Sequence, residues 1–171
     1  MGSAGVPIES VVVRPVGLAD SSSLRECVAA VMRERRYLAF TEPFSLEQTT
    51  AFVAANLQAR NPHWVAVDEK RVVGWCDIRR EPIPVYAHCA MLGMGVLDDY
   101  RRRGIGERLL RAALADAKAQ AIERIELSVY AQNAHAQALY RKVGFLHEGT
   151  RTRGKKLDGA YDDVHLMAYL S

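Results

Sequence analysis

Val96-Leu97-Asp98-Asp99-Tyr100-Arg101-Arg102-Arg103-Gly104-Ile105-Gly106 is the stretch on which the reading of this chain turns. An apolar strand ends at Val96, a short charged turn follows, and two glycines open a new segment. Downstream, Ile105, Leu109, Ala113 and Ala117 recur at spacing four, which predicts a helix over 104–121 with one buried stripe. Glycine lets backbone approach a ligand closely. A helix N-terminus offers unpaired N–H groups and the positive end of a dipole, a setting for phosphate or pyrophosphate. Arg101, Arg102 and Arg103 add charge complementary to such an anion. The turn is not a Walker loop, because no Lys-Ser or Lys-Thr follows Gly106; nor is it a GxGxxG fingerprint, because Leu109 stands three residues after Gly106. Read alone, the same residues also fit a surface turn with solvated arginines.

The flanks supply the rest of the fold. Upstream, Val11-Val12-Val13 reads as a strand, and Asp20 with the serines after it reads as the cap of a helix reaching Arg36. Ser45-Leu46-Glu47-Gln48 has the form of a capping box and opens a second helix reaching Arg60, before the Asn61-Pro62 breaker. Strands follow near 63–67, 71–80 and 87–96, with a loop at Glu81-Pro82-Ile83-Pro84 where two prolines cannot enter a central ladder. Downstream, Ile125–Val129 alternates as a strand, Asn133 caps a helix with Ala136, Leu139, Tyr140 and Val143 on one face, and Gly144 closes it. Two strands near 145–153 and 162–170 end the chain, joined through Asp158-Gly159. The order β-α-α-β-β-β-α-β-α-β-β implies one α/β (α+β) unit with a largely antiparallel sheet.

The 171 residues suit one domain, and 49% hydrophobic with 25% charged residues exclude disordered, collagenous and low-complexity classes. The net charge of +3 is too small for a dedicated nucleic-acid binder. No apolar run is long enough for a membrane helix. Cys27, Cys76 and Cys89 form no CxxC pair, and with no signal-peptide pattern they point to a cytoplasmic protein. Residues 1–8 read as a flexible N-terminal lead, leaving 9–170 as the domain.

Two motifs then carry a resemblance. Arg101-x-x-Gly104-x-Gly106 resembles the acyl-CoA-binding motif of the GNAT superfamily of N-acetyltransferases. Asn133-x-x-Ala136-x-x-Leu139-Tyr140-x-Lys142-x-Gly144-Phe145 resembles the stretch that supports the thiol end of coenzyme A there. The resemblance is to the bacterial branch acting on amino acids and small amines. It implies a single-domain GNAT fold: a mixed, mostly antiparallel sheet of about seven strands, flanked by about four helices and splayed between strands 4 and 5. It implies acetyl-CoA as co-substrate, no metal, a small-molecule amine as acceptor, and pairing as a homodimer as in many members. Carried onto this chain, pantetheine pairs with the backbone of Met94, Gly95 and Val96 as an added strand. The pyrophosphate sits on the N–H groups of Arg103, Gly104, Ile105 and Gly106, edged by Arg101 and Arg102. An N–H near Met94 polarises the thioester. Asn133 holds the pantetheine arm, and Tyr140 is the general acid toward the leaving thiolate. The amine attacks directly, without a covalent enzyme intermediate.

The base is left open by the residues. Many members carry a Glu on the fourth strand, and Met91 stands at the matching position. Glu126 on the fifth strand is the first substitute; His88, Asp77, Glu34, Glu42 and a water chain are the others. Acceptor selection falls to the segment 33–44 and to Trp75–Arg80, with Glu34, Tyr37, Glu42 and Asp77 as candidate substrate residues. Competing readings are a peptide or protein N-acetyltransferase and a non-catalytic acyl-CoA sensor.

Overall fold

The computed structural model describes residues 10–171. The lead assigned to residues 1–8, and the first domain residue, Glu9, lie outside the described residues. In chain order the elements are β1 (Val11–Pro15), α1 (Ser21–Arg33), α2 (Leu46–Gln58), β2 (His63–Asp68), β3 (Arg71–Arg80), β4 (Cys89–Val96), α3 (Ile105–Ala119), β5 (Arg124–Tyr130), α4 (Ala134–Val143), β6 (Leu146–Leu157) and β7 (Ala160–Leu170). The seven strands form one sheet in the order β1-β2-β3-β4-β5-β7-β6. Every neighbouring pair is antiparallel except β4–β5, which is parallel. No helix among the described residues is long and apolar enough to cross a membrane.

Local chemistry accounts for most boundaries. Ser45 Oγ accepts from the Gln48 N–H while Gln48 Oε1 accepts from the Ser45 N–H, the reciprocal cap expected of that sequence. Asn133 Oδ1 accepts from the Ala136 N–H, and Gly144 (φ 113°) turns the chain out of α4. Several expectations change: α2 stops at Gln58 rather than Arg60, and β6 runs on to Leu157 rather than ending near 153. α1 stops at Arg33 rather than Arg36, because Arg35 takes a left-handed conformation (φ 54°). Asp20 does not cap α1; its carboxylate is held by Arg14 and by the Gly17 N–H.

The core lies on both faces of the sheet. Leu109 of α3 packs over Gly74, where a Cβ would come within 3.1 Å of it. Ile105, Leu109, Ala113 and Ala117 are all buried, as their spacing predicts, and Leu110 is buried beside them; each leucine contributes roughly 1.5–3 kcal/mol. On the other face α1 packs on β3 and β4 and α2 packs on α1, with Leu24, Val31 and Met32 of α1 and Val53 of α2 buried.

One feature of β4 positions the site. Leu97 N–H donates to Val73 O, and Glu81 N–H donates to Cys89 O, which fixes the hydrogen-bonding phase of the β3–β4 ladder. By alternation the N–H and C=O groups of Met91, Gly93 and Gly95 point to β3, and those of Leu92, Met94 and Val96 point away from it. β5 pairs with β4 only at Cys89–Met91 and then diverges. The backbone groups of Met94 and Val96 therefore face a gap between two strands of the same sheet.

Candidate active site

The gap opens into a cavity of about 1680 Å³ that runs from the N-terminus of α3, past β4 and α4, to the space under α1 and α2. A single small-ligand pocket spans roughly 300–1,000 Å³, so this one has room for two ligands end to end. Among the described residues no group of three or more His, Cys, Asp or Glu could hold a metal ion.

At one end the turn before α3 is shaped for an anion. Arg102 (φ 58°) and Gly104 (φ 76°) are both left-handed, and Gly104 caps α3 without a side chain. The first N–H groups of the helix thus have no protein acceptor by construction. A Cβ on Gly104 would meet nothing within 4 Å, so its need for glycine comes from φ and not from crowding. Arg102, Gly104 and Gly106 line the cavity; Arg103 and Ile105 do not. Arg103 lies over the Tyr100 ring, and the Ile105 side chain belongs to the core. Arg101 lines the cavity but its guanidinium is occupied: it holds both Glu34 carboxylate oxygens and donates to Val96 O at 2.8 Å. It also stacks on Tyr37. Arg101 thus ties the end of α1 to the end of β4 instead of reaching along the turn.

In the middle, Met94 offers its N–H and C=O and Val96 its N–H, since Val96 O is taken by Arg101. Gly95 does not share this role, because its amide belongs to the β3 ladder and its Cα is covered by Trp75. A Cβ there would lie 2.3 Å from the indole. Asn133 lines the cavity with Oδ1 committed to the α4 cap. Tyr140 is buried against Phe145 and also lines the cavity, and its hydroxyl makes no hydrogen bond among the described residues. Desolvation, with nearby Cys76 adding to it, pushes this hydroxyl above the ordinary phenol range, so it stays protonated and has a proton to donate.

At the far end, the β3 side chains Trp75, Asp77 and Arg79 face the cavity from beneath α1 and α2. Asp77 is 4% exposed and packs across Gly93, and among the described residues only Arg79 Nε, at 3.1 Å, bonds it. Burial outweighs that guanidinium and raises its carboxyl to about 6. Val28, Met32, Leu38, Phe44 and Phe52 make the wall apolar.

The remaining sequence candidates fall elsewhere. Glu126 sits opposite Met91, where β4 and β5 are still paired; it does not line the cavity, and Arg124 holds it at 2.6 Å. Glu34 is spent on Arg101 and borders a separate depression of about 370 Å³. Glu42 and His88 are exposed and outside the cavity wall. Tyr37 lines the cavity between Arg36 and Arg101. The sequence reading missed His63, a cavity-lining residue that the β2–β3 register places opposite Asp77. Its signal was only a polar residue opening an apolar strand.

Residues 29–145 match the model of the family described as Acetyltransferase (GNAT) family. The chain is 33% identical over 105 residues to L-amino acid N-acetyltransferase AaaT of Escherichia coli, covering 61% of this chain and 65% of the relative. It is 35% identical over 121 residues to N-alpha-acetyltransferase RimI of Mycobacterium tuberculosis, covering 67% and 71%. The matched stretch spans 51% and 32% of the length of two further N-acetyltransferase relatives, so the chain spans less than two thirds of several curated relatives. Among solved structures, a GNAT superfamily phosphinothricin acetyltransferase from Sinorhizobium meliloti in complex with AcCoA superposes with TM-score 0.88 at 19% identity, covering 94% and 88%.

Proposed function

Because the chain belongs to the acetyltransferase (GNAT) family, we propose that it transfers the acetyl group of acetyl-CoA to the primary amine of a small molecule, an amino acid or a related amine. We assign this to a single acetyltransferase domain over residues 9–170. The observation that carries the reading is the continuous cavity joining the glycine turn at the start of α3, the β4 backbone that faces away from β3, and a buried carboxylate. The names of two relatives, an L-amino acid N-acetyltransferase and an acetyltransferase in complex with AcCoA, favour it.

Acetyl-CoA, when bound, supplies an activated acyl group and a thiol leaving group. The N–H groups of Gly104 and of Gly106 and Glu107 in the first turn of α3, with the Arg102 guanidinium, hold the pyrophosphate. Arg101 and Glu34 keep that turn in place against α1. Met94 and Val96 take the pantetheine amides as an added strand edge, and Asn133 steadies the arm. The Met94 N–H stabilises the negative charge that builds on the carbonyl oxygen. Asp77 holds the acceptor's ammonium and takes its proton, freeing the lone pair for direct attack. An ordinary amine titrates near 10, so a carboxyl raised to about 6 narrows the gap that this transfer must cross. Tyr140 donates a hydrogen bond to the departing thiolate.

A second reading, acetylation of a peptide N-terminus, draws on the relative named N-alpha-acetyltransferase RimI. Free-thiol release from acetyl-CoA across amino acids, polyamines, aminoglycosides and short peptides separates the two. Turnover with amino acids and not with peptides is the expected result. Turnover with peptides alone would transfer the chain to the second reading, and tight coenzyme binding with no turnover would make it a sensor.

A further inference from the structure

His63 opens β2, lies opposite Asp77 in the β2–β3 register, lines the cavity, and is 4% exposed. Its hydrogen-bond surroundings fix where its proton sits. The Arg80 backbone N–H donates to Asn61 Oδ1 at 3.3 Å, and a backbone N–H can only donate. That orients the Asn61 amide, whose Nδ2 donates to Asn56 Oδ1 at 3.1 Å. Asn56 is oriented in turn, so its Nδ2 donates to His63 Nδ1 at 3.1 Å. Nδ1 is therefore the acceptor, and the proton of the neutral ring is on Nε2. Burial keeps the ring neutral by lowering its pKa to about 4. Nε2–H is buried and has no partner among the described residues. An unsatisfied buried donor is rare in a native fold and calls for an explanation. A relay of two asparagines that presets a donor on a cavity-lining ring is one.

We propose that His63 is a specificity-determining donor for the acceptor: its Nε2–H takes an oxygen carried next to the acceptor's amine, the carboxylate of a free α-amino acid. The proposal rests on the small-amine reading above and narrows it. Asp77, opposite in register, takes the ammonium end. Phe52, edge-on to the His63 ring at 5.6 Å, and Arg79, over Phe52, frame the same corner. The apolar wall of Met32, Leu38 and Phe44 suits an apolar side chain on that amino acid.

The test compares L-phenylalanine, phenethylamine and L-phenylalaninamide as acceptors for the wild-type chain and for His63→Phe, which keeps a ring against Phe52. The expected result is a KM for L-phenylalanine raised roughly 10–100-fold, or about 1.4–2.8 kcal/mol. The values for phenethylamine and acetyl-CoA, and kcat, should stay unchanged. Equal losses with phenethylamine, or no loss with L-phenylalanine, would overturn the proposal. So would an amide that responds as strongly as the acid, since a peptide carbonyl would then be the partner. If the variant does not fold, long-range 1H–15N NMR on histidine-labelled wild-type protein decides the matter. Nε2 should be protonated and Nδ1 bare, and the Nε2–H signal should move with L-phenylalanine but not with phenethylamine. A proton on Nδ1, or an unmoved signal, refutes the role. Coenzyme binding with no turnover of any amine would instead sink the small-amine reading, and the NMR titration would still judge His63 by itself.

Discussion

Replacing Asp77 with Asn should slow the enzyme and stabilise the fold, and the second effect can be worked from the structure. The Asp77 carboxyl is raised from 3.8 to about 6 because burial outweighs its ion pair with Arg79. A pKa raised on folding means that the native state binds the proton more tightly than the unfolded chain does. Wild-type stability therefore falls as pH rises through that window, from about 4 to about 6, and the loss is complete above it. A shift of about 2 units corresponds to about 3 kcal/mol. The amide of the Asp77→Asn variant carries no charge. The stability difference between variant and wild type should therefore be smallest below pH 4 and grow by up to about 3 kcal/mol by pH 7. The lost pair with Arg79 subtracts little, since that guanidinium is half exposed. Urea unfolding of both proteins at several pH values between 4 and 8 measures the difference. A variant that is less stable at pH 7, or a difference that does not change with pH, would refute the account of Asp77 as a desolvated carboxylate. The same substitution should lower kcat/KM about 10²–10⁴-fold, while the wild-type profile rises through about pH 6.

Other substitutions probe the remaining parts. Tyr140→Phe should lower kcat about 10²-fold or more with the acetyl-CoA Kd unchanged, checked by steady-state kinetics beside calorimetry. Gly104→Val forces a β-branched residue to φ 76°; calorimetry should show coenzyme affinity lost, along with about 1–2 kcal/mol of stability. Gly95→Ala sets a methyl against the Trp75 indole and should cost about 1–3 kcal/mol in thermal unfolding. Glu126→Gln should leave kcat within about 2-fold, because that carboxylate faces Arg124 outside the cavity; a loss comparable to that of Asp77→Asn would restore it as the base.

The parts of this fold that were legible in the sequence are those set by local chemistry. The four-residue stripe of α3, the Ser45–Gln48 cap, the β3 span 71–80 and the Gly144 stop each follow from neighbouring residues. The two GNAT-like motifs extended that reading to the topology, including the parting of β4 from β5. What stayed illegible depends on long-range partners. Glu34 stands among the candidate base and substrate residues until Arg101, far along the chain, is seen to clamp it. Glu126 reads as a strand carboxylate near the splay, but β4–β5 pairing places it where the strands have not yet parted. His63 acquires meaning only when α2 brings Asn56 to its Nδ1 and the sheet brings it opposite Asp77.

Acetyl-CoA and a small amine are held to meet in one cavity and to react directly, and everything proposed for the site depends on that. An initial-velocity study that varies acetyl-CoA against an apolar L-amino acid, following thiol release and identifying the product by mass, tests it most directly. Intersecting double-reciprocal lines, with one acetyl group on the α-amine per thiol released, are the predicted result. Parallel lines, which signal an acetylated enzyme, or coenzyme binding without thiol release for any amine, would contradict it.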